Sequence, residues 1–390
     1  MPRTYEAPPS ENTGCKQGLY IHIPFCKQRC IYCDFYSTTC GEAEKAAFAE
    51  ALCAELVSRK EEAEGRQLTT IYLGGGTPSQ LSGEALTRIF STIHSSYTIN
   101  PDAEITIEAN PDDISKDFIA VLQSTGINRI SLGIQTFNED LLKILHRRHN
   151  ASQARNAVLT LHEAGFVNLS IDLIYGLPGQ SLDTWRHDID TALRLPIKHL
   201  SAYALTYEDG TQLTRLRDIG KLKEAGEETY RSSFYLLKEL AEAAGFEHYE
   251  ISNFARSGWR SRHNSSYWDG SPYIGCGPGA HSFDAKRTRR ENRADLRAYL
   301  NTPGTPAFRE EHLSQNESRN EFVFTALRTN VGVNLELLSR QFGAAALSEL
   351  LNAATPYLRL KELEERDGHL RLTPAGLFLS DMIMRDLMTV

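Results

Sequence analysis

Short apolar runs alternate with longer amphipathic segments through the first half of the chain, beginning at Gly18. The runs are rich in branched and aromatic residues, which favour strands, whereas the segments between them repeat apolar residues at helical spacing. In the segment 151–164, for example, Ala154, Val158 and Leu161 fall on one helical face. Strands that alternate with helices of this length predict βαβ units and a parallel sheet.

Six strands and five helices are predicted in this first half. The strands are Leu19–Ile23, Thr70–Leu73, Glu104–Glu108, Arg129–Leu132, Leu169–Ile174 and His199–Ala204. The helices are Ala43–Ser58, Gly83–Ser96, Lys116–Ser124, Ser152–Ala164 and Leu182–Arg194. Six strands are too few for a closed barrel of eight units and too many for one mononucleotide-binding half. The pattern therefore predicts an α/β fold that is neither of these.

Polar or glycine-rich stretches follow nearly every predicted strand. They are Pro24-Phe25-Cys26, Gly74-Gly75-Gly76-Thr77, Ala109-Asn110-Pro111, Gly133-Ile134-Gln135 and Tyr175-Gly176-Leu177-Pro178. The carboxyl ends of parallel strands carry the functional site in sheets and barrels of this kind. We therefore expect the unusual residues to gather on one face of this domain.

The alternation stops after Tyr207. The pattern then predicts a strong helix, a loop-rich stretch, a basic run and a further helical region, at Gly226–Ala244, Asn253–Ala285, Lys286–Arg293 and from Pro303–Pro306 to Tyr357. The end of the chain predicts a hairpin-like wing and a last helix, at Leu360–Arg366, His369–Leu372 and from Pro374 to about Leu387. Helices followed by such a wing predict a small winged-helix-like unit.

Four parts of the chain are expected from these changes of pattern. They are a flexible lead-in over residues 1–16, a core domain over 17–250, a loop-rich connector over 251–305 and a helical, winged unit over 306–390. The wing mixes charges of both signs and offers no basic recognition face, so a lid or a partner-docking role is expected for it rather than DNA binding.

Composition excludes several classes of protein. The 390 residues include 42 Lys and Arg against 50 Asp and Glu, a formal charge of −8, which argues against a protein whose main task is to hold nucleic acid phosphates. No apolar run reaches the ~18 residues of a membrane-spanning helix. The first 16 residues lack the apolar stretch of a secretory signal, so a reducing cytoplasm is the expected location.

Three of the seven cysteines lie within eight residues, at Cys26, Cys30 and Cys33. Such close thiols suggest metal or redox chemistry rather than disulfides. Three thiolates are one ligand short of a closed tetrahedral site, and in a cubane cluster they leave one iron open to an amine and a carboxylate. Two other interpretations stay open, a structural zinc site completed by His22 or Cys40, and buried thiols without a ligand.

The run Tyr20-Ile-His22-Ile-Pro-Phe-Cys26-x3-Cys30-x2-Cys33-x-Phe35 resembles the signature of radical S-adenosylmethionine (SAM) proteins. More narrowly, it resembles the oxygen-independent coproporphyrinogen III oxidase group, and the likeness continues over nearly the whole chain. The resemblance implies a partial (β/α)6, TIM-like barrel and a [4Fe–4S] cluster on the three thiolates. It also implies SAM on the fourth iron, cleaved to a 5′-deoxyadenosyl radical in an enclosed site.

The resemblance further implies which residues hold SAM. They are Tyr20, Gly75, Gly76, Thr77, Glu108, Gln135, Arg147 and Asp172. Glycines let the backbone approach a ligand closely, and a carboxylate such as Glu108 can pair with a ligand ammonium. Asp172 lies inside an apolar strand, where a carboxylate without a partner is costly. Alternatives stay open at other positions: a plain turn for the glycine run, a core-facing strand residue for Tyr20, and solvated charges for Glu108 and Arg147.

Two departures from the oxidase pattern favour haem handling over porphyrin oxidation. Phe35 stands where the oxidase has a further cysteine, and only about 25 residues precede Cys26 where the oxidase has a longer closing region. The run His263-Asn-Ser-Ser-Tyr267-Trp268 resembles a motif of the haem-handling relatives. A histidine can ligate haem iron and flat aromatic rings can cover a porphyrin. A hydrogen-bonded anchor is the alternative for His263.

The expected function is that of a cytoplasmic haem chaperone that binds a cluster, SAM and haem and passes haem to apo-proteins of the respiratory chain. Coproporphyrinogen III dehydrogenase, which releases two carboxyl groups as CO₂, is the alternative, so whether the protein is an enzyme stays open. The expected partners are haem and an apo-haemoprotein that can be membrane-associated, with a homodimer allowed and no nucleic acid. Lys286–Arg293 could meet haem propionates or an acidic partner, or form a solvated surface, and His22 could be a porphyrin contact or a strand residue.

Overall fold

The computed structural model describes residues 16–389. The predicted lead-in over residues 1–16 lies outside this part of the chain apart from Lys16, and so does Cys15. Within it the strands β1 to β15 are Lys16–Ile23, Gln67–Gly75, Ile99–Ala109, Arg129–Gln135, Asn168–Tyr175, His199–Ala204, Phe246–Glu250, Asn253–Arg256, Tyr273–Cys276, His281–Phe283, Thr288–Asn292, Phe308–His312, Val333–Asn334, Leu363–Arg366 and His369–Leu372.

The helices of the described residues are α1 to α15. In chain order they are Glu42–Ser58, Gly83–Ser96, Lys116–Ser124, Glu139–Ile144, Ala151–Glu163, Leu182–Arg194, Gln212–Asp218, Glu227–Ala243, Arg262–Trp268, Leu296–Asn301, Gln315–Leu327, Leu335–Phe342, Ala344–Arg359, Pro374–Leu377 and Ser380–Asp386. Side-chain caps start several of them, as where the Ser181 hydroxyl accepts the Thr184 amide before α6. No helix of residues 16–389 is long and apolar enough to cross a membrane.

Strands β1 to β6 lie side by side in chain order and are all parallel, which confirms the predicted α/β fold with six βα units. The sheet continues on both sides. Strand β9 pairs parallel with β1 and leads to the antiparallel strands β10 to β12, while β8 and β7 pair antiparallel beyond β6. The whole sheet therefore has twelve strands around a six-strand parallel centre.

The parallel strands alternate apolar and polar side chains, because successive residues of a strand point to opposite faces. In β3, Ile105 and Ile107 join the large apolar core under the helices, whereas Thr106 and Glu108 belong to the other face. Parallel sheets covered by helices usually have apolar side chains on both faces. A polar inner face is therefore an exception and indicates an interior that receives polar groups or a polar ligand.

The C-terminal part has its own apolar core, built from α11, α12, α13, α15 and the three-stranded sheet β13-β15-β14. Strands β14 and β15 form the predicted wing across the turn at Asp367 and Gly368. This part is tied to the central sheet by backbone bonds, from the Ile251 amide to the Arg328 carbonyl at 3.0 Å and from the Asn330 amide to the Tyr249 carbonyl at 3.0 Å.

Three sequence predictions about the second half were wrong in part. The stretch Asn253–Ala285 was expected to be loop-rich but contains β8, α9, β9 and β10, and strand β12 precedes the expected helices. The last helix is divided into α14 and α15. Strand β9 owes its place to pairing with β1, where Gly275 lies opposite Tyr20 and where a Cβ would overlap the His281 carbonyl. Such long-range pairing leaves no periodic signal in a four-residue strand.

Candidate functional site

The three close cysteines lie in the loop between β1 and α1, at the carboxyl edge of the parallel strands. The Cys26 amide donates to the Thr38 carbonyl at 2.9 Å, and the Cys33 amide donates to the Cys30 carbonyl at 3.3 Å. All three side chains are partly exposed. Burial raises the pKa of Cys26 and raises that of Cys33 to about 11, so a positive centre is needed to ionise them.

This donor set fits an iron–sulfur cluster. Among residues 16–389 no three His, Cys, Asp or Glu side chains lie close enough for a single metal ion, but the three thiols share one loop. Arg147 supplies an N–H donor at 3.2 Å from the Cys30 sulfur. Hydrogen bonds to thiolates and nearby positive charge are the protein's means of tuning such clusters.

His22 has no free ring nitrogen for a metal. Its Nε2 lies 2.8 Å from the Tyr36 carbonyl, which can only accept, so Nε2 carries the proton. Its Nδ1 is then the acceptor for the Tyr20 hydroxyl at 3.0 Å. Burial lowers the pKa of His22, which agrees with this neutral form. In this arrangement His22 links the cysteine loop to strand β1 instead of completing a zinc site.

The glycine run after β2 packs directly against the cysteine loop. Gly75 has a φ of +111°, and a Cβ there would lie 2.6 Å from the His22 ring. A Cβ on Gly76 would lie 2.8 Å from the Phe25 carbonyl, while its amide donates to the Ile23 carbonyl at 2.8 Å. Only glycine fits both positions, because left-handed backbone and close approach each exclude a side chain.

Two carboxylates line the inner face near these loops. Glu108 accepts from the Tyr72 hydroxyl at 2.7 Å and from the Gly75 amide at 3.3 Å. Burial raises its pKa to about 7, and nearby Asp172 adds to the rise. Asp172 accepts from the Ser131 hydroxyl at 3.3 Å, and its pKa is also raised, mainly by burial. Both remain partly accessible, so the space that they face, called the cleft below, favours a cationic ligand group.

Arg147 and Gln135 complete the same edge of the sheet. Arg147 donates to the Asn110 carboxamide at 2.6 Å and also to the Gly133 carbonyl. Gln135 has a φ of +72°, an uncommon conformation for a residue with a side chain. A Cβ at Gly133 would lie 3.0 Å from the Gln135 amide nitrogen and 3.4 Å from Arg147. The two side chains therefore meet above Gly133, next to the thiol of Cys30.

The structure brings together Tyr20, the three cysteines, the glycine run, Glu108, Gln135, Arg147 and Asp172 at one edge of the sheet. Sequence reasoning missed several of their neighbours, namely Tyr72, Arg129 and Ser131, and it named Asn110 only within the stretch that follows the third strand. Arg129 is 1% exposed, and its Nε and Nη1 have no partner among the described residues. The signal for most of them was a polar residue at every second position of a parallel strand.

His263 lies in helix α9, below the cleft, instead of in a loop. It is fully buried, and its Nδ1 and Nε2 lie 2.8 Å and 2.9 Å from the hydroxyls of Thr70 and Tyr267. Its ring packs near Tyr72, with centroids 5.0 Å apart, and burial lowers its pKa to about 3. Iron ligation would use one ring nitrogen and would require that nitrogen to lose its hydrogen bond and its buried place, so this placement favours the anchor interpretation over the expected axial ligand.

The run Lys286–Arg293 does not form a separate basic patch. Three of its arginines contact acidic side chains, with Arg289 at 2.7 Å from Glu321, Arg290 at 3.8 Å from Glu62 and Arg293 at 3.3 Å from Asp295. Most of the run is strand β11. Its positive charge is therefore largely compensated within the protein.

Comparison with known proteins gives consistent matches over the whole chain. The model of the radical SAM superfamily matches residues 20–192, and that of the HemN C-terminal domain matches residues 313–379. The haem chaperone HemW of Lactococcus lactis is 36% identical over 348 residues, which cover 87% of this chain and 90% of the relative. The mitochondrial radical S-adenosyl methionine domain-containing protein 1 of Bos taurus is 32% identical over 395 residues, which cover 95% and 87%.

Among solved structures, coproporphyrinogen III oxidase (HemN) from Escherichia coli, described as a radical SAM enzyme, has a TM-score of 0.84 with this chain. The match covers 97% of this chain and 92% of the oxidase at 21% sequence identity. At that identity the likeness shows a shared fold, and it leaves the activity to be argued from the residues.

Proposed function

The chain belongs to the HemW family of haem chaperones within the radical SAM superfamily, and on that premise we propose that it binds haem and transfers it to apo-haemoproteins. The observation that carries this proposal is the identity of 34–39% with several bacterial HemW proteins, against 21% with the oxidase of the same fold. Apo-proteins of the respiratory chain are the proposed recipients.

Membership of the superfamily implies a [4Fe–4S] cluster and SAM as cofactors. We assign the cluster to Cys26, Cys30 and Cys33, because these thiols share one loop and one of them receives an N–H from Arg147. When bound, the cluster would supply an electron and an open iron site. The protein's own groups orient the ligand around it and exclude water.

We assign SAM to the cleft beside this loop. Gly75, Gly76 and Thr77 bring the backbone close to the cysteines without bulky side chains, and the Thr77 hydroxyl lies 3.7 Å from the Cys26 sulfur. Glu108 is the proposed partner of the ligand ammonium. The remaining proposed contacts are Tyr20, Gln135, Arg147 and Asp172. Their common support is that all of them line or adjoin the polar inner face of the barrel.

Phe35 favours haem handling over porphyrin oxidation. It lies in the cysteine loop, two residues after Cys33, and its side chain is 63% exposed, at the position where the oxidase pattern has a further cysteine. An exposed aromatic ring offers apolar surface to a porphyrin, whereas it supplies no sulfur. We do not assign His263 as the iron ligand, since both of its ring nitrogens are engaged inside the protein.

Two assays on anaerobically purified protein with an intact cluster test the proposal. Titration with haem should give saturable uptake, followed by transfer to an added apo-haemoprotein. Incubation of the reduced protein with SAM and coproporphyrinogen III should give no protoporphyrinogen IX. Formation of that product would overturn the chaperone assignment in favour of the dehydrogenase. Absence of saturable haem uptake would refute the proposed haem binding.

A further inference from the structure

The end of strand β4 carries an irregularity just before Gln135, whose side-chain amide lies beside Gly133 and Arg147. From Gly133 to Gln135 strand β4 advances two residues, while its partner β5 advances one, from Asp172 to Leu173. Ile134 is therefore the extra residue of a β-bulge, a feature that re-aims a side chain. Gln135 follows with a φ of +72°, which is costly for a residue with a side chain and persists only where neighbours enforce it.

One buried carboxylate holds the backbone just after this bulge. Asp188, on helix α6, is 0% exposed. It accepts from the Thr136 hydroxyl at 2.7 Å and from the Phe137 amide at 2.7 Å. The side chain of Gln180, in the loop after β5, also donates to it. A single carboxylate thus ties together the loops that follow two neighbouring strands.

The carbonyls of the bulge are held from the other side. The Gly133 carbonyl accepts from Arg147, and the Ile134 carbonyl accepts from His149 Nε2 at 3.2 Å. Because a carbonyl can only accept, His149 carries a proton on Nε2, and burial together with Arg147 lowers its pKa to about 3. The bulge is therefore fixed between Asp188 and the segment that supplies Arg147.

We propose that Asp188 is a positioning residue for the SAM site, which holds the strained end of β4 so that Gln135 faces the cofactor. This inference rests on the proposed SAM-binding role of Gln135. Asp188 touches neither the cleft nor the cysteine loop in this structure, so it acts through Thr136 and Phe137. A buried carboxylate that satisfies two donors on consecutive residues fixes both the backbone and its direction.

The variants follow from the two hydrogen bonds. Asp188→Asn keeps the shape but removes the charge, so the bonds from Thr136 and Phe137 lose their charged acceptor. Thr136→Val removes the hydroxyl at constant volume, and Thr136→Ser restores it. Ile189→Val shortens a fully buried neighbour on the same helix without touching the loop, and it serves as the control for simple destabilisation.

We expect Asp188→Asn and Thr136→Val to weaken equilibrium binding of SAM by about tenfold in protein with a full cluster, the effect of one lost bond to a charged group. Thr136→Ser should bind as the wild type. Amide hydrogen exchange over residues 133–137 should be faster in the two damaging variants and unchanged in Ile189→Val, whatever the melting temperatures. Wild-type SAM affinity in Asp188→Asn, or a loss in Ile189→Val that follows its melting temperature, would overturn the proposal.

Failure of the proposed SAM contact gives a different result. If Gln135→Ala binds SAM as the wild type does, Gln135 is not a cofactor contact. The proposed effect of Asp188 on SAM binding is then refuted as well. Hydrogen exchange does not depend on SAM, so it still decides whether Asp188 holds the bulge. Unchanged exchange over residues 133–137 in Asp188→Asn would refute that role as well.

Discussion

Replacement of Glu108 by Gln is the sharpest test of the proposed SAM site. The carboxylate is fixed by the Tyr72 hydroxyl and the Gly75 amide, so the uncharged variant should keep its position while losing its charge. A hydrogen bond to a charged group contributes about 1.5–3 kcal/mol, which corresponds to a loss of roughly tenfold to hundredfold in affinity. Equilibrium titration of the reconstituted protein with SAM, under anaerobic conditions, measures it.

The raised pKa of Glu108 adds a pH dependence with a definite sign. With a pKa of about 7, the carboxylate of the free protein is about one tenth ionised at pH 6 and about nine tenths ionised at pH 8. Because only the ionised form attracts an ammonium, apparent affinity should rise about tenfold over this range. Two charged groups near Glu108 act on its pKa in opposite directions, since Asp172 raises it and Arg129 lowers it. The hydrogen bond from the Tyr72 hydroxyl lowers it as well.

The amino group of SAM itself titrates in the α-amino range, near pH 8, so a single pH profile does not isolate Glu108. The informative quantity is the ratio of wild-type to Glu108→Gln affinity, from which ligand titration cancels. This ratio should grow about tenfold from pH 6 to pH 8. Asp117→Asn removes one exposed carboxylate from helix α3 and should leave affinity and profile unchanged. A constant ratio, or equal affinity of wild type and Glu108→Gln at pH 8, would refute the assignment of the ammonium to Glu108.

Three further outcomes are expected. Cys30→Ala should abolish the iron–sulfur absorbance of the reconstituted protein while Cys53→Ala, on helix α1, keeps it, and an intact cluster in the first variant would refute the site. Gly75→Ala should lower the free energy of unfolding by about 1–3 kcal/mol in chemical denaturation, because the φ of Gly75 is positive and the His22 ring lies 2.6 Å from the new Cβ. Gly226→Ala, at a position with open space around it, is the control and should lower it far less. His263→Gln should keep stoichiometric haem uptake, and loss of uptake at unchanged melting temperature would restore His263 as a haem ligand.

The first half of the fold could be predicted from sequence because its signals are local. Each parallel strand shows its apolar face as a run or an alternation, and each helix covers it with residues at helical spacing. Strand His199–Ala204 and helix Gly83–Ser96 have the predicted bounds. After Ala204 the wing strand His369–Leu372 also has the predicted bounds, whereas β9 is only four residues long and depends on β1 far along the chain, so its composition alone resembles a loop.

The candidate site could be predicted in part for a related reason. Cysteine spacing and the glycine run are contiguous signals, whereas the second layer around them is assembled from separate strands and helices. The sequence nevertheless indicates that Asp188 is buried, since it lies among Trp185, Ile189 and Ala192 on the buried face of α6. A carboxylate on an apolar stripe must find donors in the interior, and the sequence does not say which ones.

The same reasoning explains why His263 was expected in a loop, whereas it lies buried in helix α9. An Asn and two aromatic residues beside a histidine are compatible with an exposed ligand and with a buried anchor, and only burial separates the two. In the structure α9 begins where Glu104 accepts the amides of Arg262 and His263, at 3.1 Å and 3.0 Å. This carboxylate lies on the inner face of β3, so the helix is fixed to the barrel floor together with the imidazole.

The protonation of the buried histidines below the cleft helps to determine its net charge. His199 and His263 are fully buried, and burial lowers the pKa of both, so each stays neutral at pH 7. Arg129 opposes Glu108 and Asp172, and Arg147 acts on Asp172 as well while it donates to the Cys30 sulfur. With both carboxylates ionised and that sulfur a thiolate, the negative groups exceed the two arginines by one. A bound group with positive charge relieves this excess, whereas an anion adds to it. SAM carries a sulfonium as well as an ammonium, while haem brings two propionates, so the polar interior suits the first ligand and the second is expected outside it, near the exposed ring of Phe35.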